Sequence, residues 1–217
     1  EVPRAGEHDV IGDRAFGDTA EQVAQLGQAA LDGLADAGIV GVIKHIPGHG
    51  RAGVDSHHHL PVVEVDEAAL ALDIAPFKAL AHAPMAMTAH VLYRAWDAAQ
   101  CATLSPAIIQ NVIRQRIGFD GLLMSDDLDM KALVGTVPDL AAQSLAAGCD
   151  VALNCWGDMA VMTQIADRLG DANSDCLRRL SSAMSHWQPQ QLDAIGARQS
   201  DYLAERDSVL RELARMA

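Results

Sequence analysis

Four short apolar runs, each preceded by a helical stretch, constrain this chain more than any other feature. The runs are IVGVIKHI (39–46), PMAMTAHV (84–91), GLLMSDD (121–127) and CDVALNCW (149–156). Each is too short for a helix and apolar at successive positions, the pattern of a strand buried on both faces. The stretch DTAEQVAQLGQAALDGLADAG (18–38) precedes the first run. It opens on an Asp-Thr cap, keeps apolar residues at helical spacing and stops on Gly38. Residues 66–83 read as a helix interrupted near Pro76. Residues 104–118 form a helix with Ser105 as cap, Pro106 at its first position and Gly118 as stop. A further helix spans 137–148, and residues 157–217 read as helical, with breaks near Gly170, Pro189 and Gly196. Alternation of this kind predicts a parallel sheet joined by right-handed crossovers.

The chemistry-prone residues share one position in that scheme. Lys44 with His45, Thr88 to His90, Ser125 to Asp127, and Asn154 with Cys155 all lie at or just beyond the C-terminal end of an expected strand. Barrels and open α/β sheets place their sites there. A formal charge of −13, from 29 acidic against 16 basic residues without long runs, argues against a nucleic-acid surface, which needs clustered Lys and Arg. Aromatic content of 4% argues against stacking platforms for single strands. Four cysteines without CxxC pairing suggest reduced thiols and a cytoplasmic protein, and no apolar run is long enough to predict a membrane span.

The segment KHIPGHGRAGVDSHHHLP (44–61) holds five of the nine histidines. Gly48, Gly50 and Gly53 make it a poor frame for a preformed metal cage, which needs ligands on rigid elements. Read plainly, His58 and His59 are solvated loop residues. Asp55 and His57 invite a sharper reading: an Asp two residues before a His can bond one ring nitrogen, fix the tautomer and leave the other free for general acid and base work. In MSDDLDM (124–130), a carboxylate leaving an apolar strand can serve as nucleophile, or Asp126 and Asp127 can simply cap the next helix.

The motifs KHIPGHG, DSH followed by LP, MTAHV, MSDDLDM and the early IGDRAFG, in this order, resemble the glycoside hydrolase family 3 β-N-acetylhexosaminidases of the NagZ type. The resemblance runs from about Val10 to Asn154. It implies a TIM-like (β/α) barrel and removal of terminal non-reducing β-linked N-acetylglucosamine from muropeptides in peptidoglycan recycling, with retention and with no metal or cofactor. By the same resemblance Asp126 is the nucleophile and the Asp55–His57 pair handles the proton, while Arg14, Lys44 and His45 bind the sugar. His90 is expected to support the pocket from beneath, and His49 to hold its turn.

Residues 1–217 are expected to form a single catalytic domain carrying only the C-terminal portion of such a barrel. The first barrel strands of the family do not appear in it, and a barrel of about 250 residues cannot close from this chain alone. The missing part would then belong to the same polypeptide. Two alternatives stay open: a metal-dependent barrel hydrolase using His45, His49 and Asp126, and a non-catalytic sugar-binding fragment.

Overall fold

A computed structural model describes residues 1–3, 11–189, 191, 196 and 198–216. Helix α1 (Ala20–Asp36) begins where expected, with the Thr19 side chain accepting the Gln22 amide. Strand β1 (Val42–Ile46) follows, then β2 (Val62–Val63) beyond the histidine loop. The next helical stretch is two helices, α2 (Glu67–Asp73) and α3 (Ala75–Ala79), divided at Ile74 because Pro76 falls in the first turn of α3. Strands β3 (Met85–Thr88) and β4 (Leu92–Tyr93) come next. The helix expected over 104–118 is present as Ile108–Ile117, wound with π-type bonds. Ser105 Oγ caps it by accepting the Ile108 amide at 3.1 Å, and Gly118 ends it at φ 82°.

The sheet is parallel, in the order β1-β3-β5, where β5 is Leu122–Met124. β2 and β4 form a separate parallel pair. The α2–α3 segment and the π-wound helix supply the two crossovers, as parallel pairing requires. Ile46, Leu70, Ile74, Ile108, Ile113, Phe119 and Leu123 are essentially without solvent exposure and form one core between sheet and helices. Each such side chain contributes roughly 1.5–3 kcal/mol when fully buried. Three parallel strands in line are what the described residues contain, and closure of a barrel is not seen among them.

The expected strand 149–156 is reduced to a single bridge, Val151 against Met124. Side chains replace ladder partners there. Asp150 Oδ2 accepts the Leu123 amide at 2.9 Å, and Ser125 Oγ accepts the Leu153 amide at 2.9 Å. The run still lies parallel to β5, since Val151 donates to the Leu123 carbonyl and Ser125 to the Val151 carbonyl.

Helices α4 (Val137–Ala147), α5 (Met159–Arg168), α6 (Ser174–Met184) and α7 (Gln199–Met216) complete the chain. The break near Gly170 falls between α5 and α6. Those near Pro189 and Gly196 border residues 190–197, most of which lie outside the described residues. Within the region after residue 157, α6 and the turn that follows it pack against the body of the protein. Arg179 pairs with Asp150 at 3.0 Å, and Gln188 donates to the Gly38 carbonyl at 2.9 Å.

Candidate active site

Asp126 and Asp127 follow β5 directly, and neither caps α4, a task taken by Thr136. Their environments differ. Asp127 Oδ1 accepts the amides of Cys155 (3.1 Å) and Asp129 (3.3 Å), and its carbonyl accepts from His90 Nε2 at 3.0 Å. Asp126 Oδ1 accepts the Asp127 amide at 2.8 Å, whereas Oδ2 faces His45 Nε2 at 3.8 Å, beyond hydrogen-bond range. Asp127 is thereby committed to holding the loop, and Asp126 presents a carboxylate oxygen toward His45.

His45 sits near the end of β1, where the Lys44–His45 and Ile46–Pro47 peptides are cis. Its Nδ1–H donates to Glu1 Oε1 at 3.1 Å, its amide donates to the same oxygen, and the His49 amide donates to Oε2 at 2.5 Å. Burial pushes the Glu1 carboxyl up, but hydrogen bonds and charge from His45 outweigh it and hold the carboxyl below its ordinary value. Glu1 is a residue of the candidate site that sequence reasoning missed, and at 44 residues from its partner it had no local signal. The same close approach requires Gly50, because a Cβ there would lie 1.9 Å from the Val2 carbonyl oxygen.

On the loop beyond β1, His57 Nδ1–H donates to Asp55 Oδ1 at 2.7 Å and the His57 amide donates to the same oxygen at 2.9 Å. These bonds, the amide's first, hold the Asp55 carboxyl below its ordinary value. The His57 side chain is 60% exposed, with Nε2 turned away from the carboxylate. The expected pair is therefore assembled, on a loop whose His57 carbonyl accepts the Lys131 amide, five residues past Asp126. His58 and His59 are exposed.

Arg14, Lys44 and His45 line one cavity of about 290 Å³, together with Glu1 and an apolar wall that includes Phe16, Leu31 and Phe77. Asp126 and the Asp55–His57 pair do not line it; the cavity runs between α1 and α3 along β1, and His45, which faces Asp126, lines it. Arg14 closes a short 3₁₀ turn, Gly12–Arg14, and its Nε donates to the Ile11 carbonyl. His90 is fully buried beneath the site, with Nδ1 2.7 Å from Thr103 Oγ1. Burial lowers its pKa, as it does that of His49. Among the described residues no group of three or more His, Cys, Asp or Glu is arranged to hold a metal ion. His49 Nε2 meets Ser56 Oγ at 3.1 Å.

A parallel β/α wall with a carboxylate at one strand end and an Asp–His pair on the loop of another defines a class: an α/β protein with a carboxylate and a hydrogen-bonded Asp–His pair at the C-terminal rim of its sheet. Residues 1–178 match the glycosyl hydrolase family 3 N-terminal domain, and the chain belongs to that family. A beta-hexosaminidase of Thiobacillus denitrificans is 43% identical over 155 residues, covering 69% of this chain and 43% of the relative. The solved NagZ of Neisseria gonorrhoeae, in complex with N-trifluoroacetyl-D-glucosamine, superposes with a TM-score of 0.78 at 33% identity. That match covers 89% of this chain and 57% of the other. A family 3 beta-N-acetylglucosaminidase from Paenibacillus sp. FPU-7 gives 0.75 at 34% identity, covering 87% of this chain and 38% of the other. The chain thus spans about half the length of such relatives.

Proposed function

We propose that this chain supplies the catalytic face of a retaining exo-β-N-acetylglucosaminidase. Its substrates would be peptidoglycan fragments that end in β-linked N-acetylglucosamine, including GlcNAc-1,6-anhydro-MurNAc, and its setting the cytoplasm during cell-wall recycling. The observation that carries the reading is the Asp55–His57 bond at 2.7 Å through Nδ1, with the His57 side chain exposed, on the loop that follows the strand of His45. Names of the relatives support the sugar, since the solved structures include a β-N-acetylglucosaminidase and a glucosamine-derivative complex.

In this reading Asp126 attacks the anomeric carbon while His57 gives its proton to the leaving oxygen. The ring, then neutral, takes a proton from water as that water breaks the glycosyl-enzyme ester. Two inversions at one carbon give net retention. Asp55 holds the imidazole tautomer, and His45, Lys44 and Arg14 bond the sugar hydroxyls. The loop closes over bound sugar.

The test is release of the chromophore from an aryl β-N-acetylglucosaminide, by this chain and by any longer polypeptide that carries it. Turnover by either, with a fluorinated aminosugar trapped on Asp126, bears the reading out. Binding of N-acetylglucosamine without release, by both, would make the protein a sugar-binding fragment and end it.

A further inference from the structure

In the family reading His49 is expected only to hold its turn, and the reaction above does not use it. The ring is buried, at 4% exposure, and among the described residues its Nδ1 is a buried atom without a hydrogen-bond partner. Leaving such an atom unpaired costs about 1–3 kcal/mol. An apolar ring of similar shape would avoid that cost, so packing alone does not account for an imidazole here. Among the described residues its one polar side-chain contact is Nε2 to Ser56 Oγ at 3.1 Å.

Ser56 lies between the two members of the Asp–His pair and is 4% exposed, whereas the side chains of Asp55 and His57 are 26% and 60% exposed. The loop therefore turns its middle residue into the protein and its two chemical residues out. Few bonds hold it. Among the described residues, the hydrogen bonds that join 53–60 to the rest of the protein are His49 to Ser56 and the Lys131 amide to the His57 carbonyl. The other bonds of this stretch, from the His57, His58 and His59 amides to Asp55, are internal. His49 itself does not share the loop's freedom. Its amide is bonded to Glu1, and the Gly48 carbonyl before it accepts the Tyr93 hydroxyl at 2.6 Å.

We propose that His49 is a positioning residue: through Ser56 it anchors the loop so that the Asp55–His57 pair meets the leaving-group oxygen. The proposal rests on the reading of His57 as acid/base. A fixed ring carries a weakly held loop by one side-chain bond, placed at the residue between the two that must be aimed. Misplacing a reacting group by about 1 Å costs up to about 10²-fold in rate, so loss of this single bond is expected to slow proton transfer about tenfold.

The experiment compares Ser56→Ala and His49→Phe with the wild type, in the full-length protein, on two β-N-acetylglucosaminides: one with an activated nitrophenyl leaving group, one with an unactivated sugar alcohol. Only the second needs a well-placed acid. Both variants should lose about tenfold in kcat/KM on the unactivated substrate and less than about twofold on the activated one. The Ser56→Ala loss should vanish in a His57→Ala background. Thermal stability of His49→Phe should stay close to that of the wild type, because removing the orphaned nitrogen offsets the loss of the Ser56 Oγ partner. Equal losses on both substrates, a Ser56→Ala loss that persists without His57, or no loss at all would overturn the anchor. Should His49→Phe not fold, Ser56→Ala decides by the same outcomes. Failure of the acid/base reading is separately visible, as a His57→Ala variant that treats the two leaving groups alike before Ser56 is touched.

Discussion

Asp150 is the residue on which the back of the site should fail first. Its side chain is 4% exposed and accepts three bonds: the Leu123 amide at 2.9 Å, Arg114 at 2.8 Å and Arg179 at 3.0 Å. The Leu123 bond binds the 149–153 run to β5 in place of a regular ladder. In Asp150→Ala the Leu123 amide loses its acceptor, Arg114 is left with the Phe119 and Gly121 carbonyls, and Arg179 is left with Asp120. Breaking a buried pair by removing one partner costs about 3–5 kcal/mol. For a domain of this size that corresponds to about 6–20 °C in Tm, and to a large share of a typical total stability of 5–15 kcal/mol. Asp150→Asn keeps a carbonyl for Leu123 and Arg114 but turns an amide toward Arg179, so its loss should be about half as large. Thermal unfolding of wild type and both variants, followed by circular dichroism, checks the order. An Ala variant within about 2 °C of wild type would refute the reasoning. An Asn variant as damaged as Ala would show that charge, and not the Leu123 acceptor, holds this contact.

Other outcomes follow from the site. Asp126→Ala should abolish turnover of aryl β-N-acetylglucosaminides while the thermal transition stays close to that of wild type, because the structural bonds of the loop belong to Asp127. His57→Ala should slow an unactivated disaccharide by about 10²–10⁴-fold, and an activated aryl substrate much less, as read from kcat/KM for each. Acid should weaken the fold through His49 and His90, whose pKa values burial depresses. Below about 6.5 the unfolded chain takes up protons that these folded rings refuse, so stability is full above that pH and declines as pH falls through the lower folded values. Tm measured at about pH 7.5 and 5.5 should drop in the wild type and drop less in a His49→Phe variant; equal slopes would remove His49 as a cause.

What was legible in the sequence was local. The helix stops at Gly38, Gly118 and Gly148, the Thr19 and Ser105 caps, and the cores of β1, β3 and β5 depend on a few neighbouring residues each, and they stand where spacing puts them. The Asp55–His57 bond belongs to the same kind, since two residues in a turn leave little choice of geometry. The strand expected over 149–156 failed for a nonlocal reason. Its apolar residues fit a ladder, but Asp150 and Ser125 offer side-chain acceptors to the amides that would form one. Glu1 bonding to His45 and His49, and His49 reaching Ser56, were equally out of view, because they depend on how separate segments fold together.

The two chemical halves of the site are held in opposite ways, and the proposed reaction gives a reason. A nucleophile must meet one carbon within tenths of an ångström, and Asp126 follows a strand buried on both faces and backed by the Asp150 ion pairs. The acid/base group must meet the leaving oxygen, then water, after substrate has entered past it. A group that closes over bound sugar suits that sequence better than one fixed in the wall. The loop of Asp55 and His57 has the matching support, few bonds and outward side chains. A crosslink that fixes exposed residue 58, beside His57, to the body of the protein should therefore lower kcat through slowed product release while the His57 ring stays in place. Unchanged or faster turnover in the crosslinked enzyme would show that the loop does not have to move.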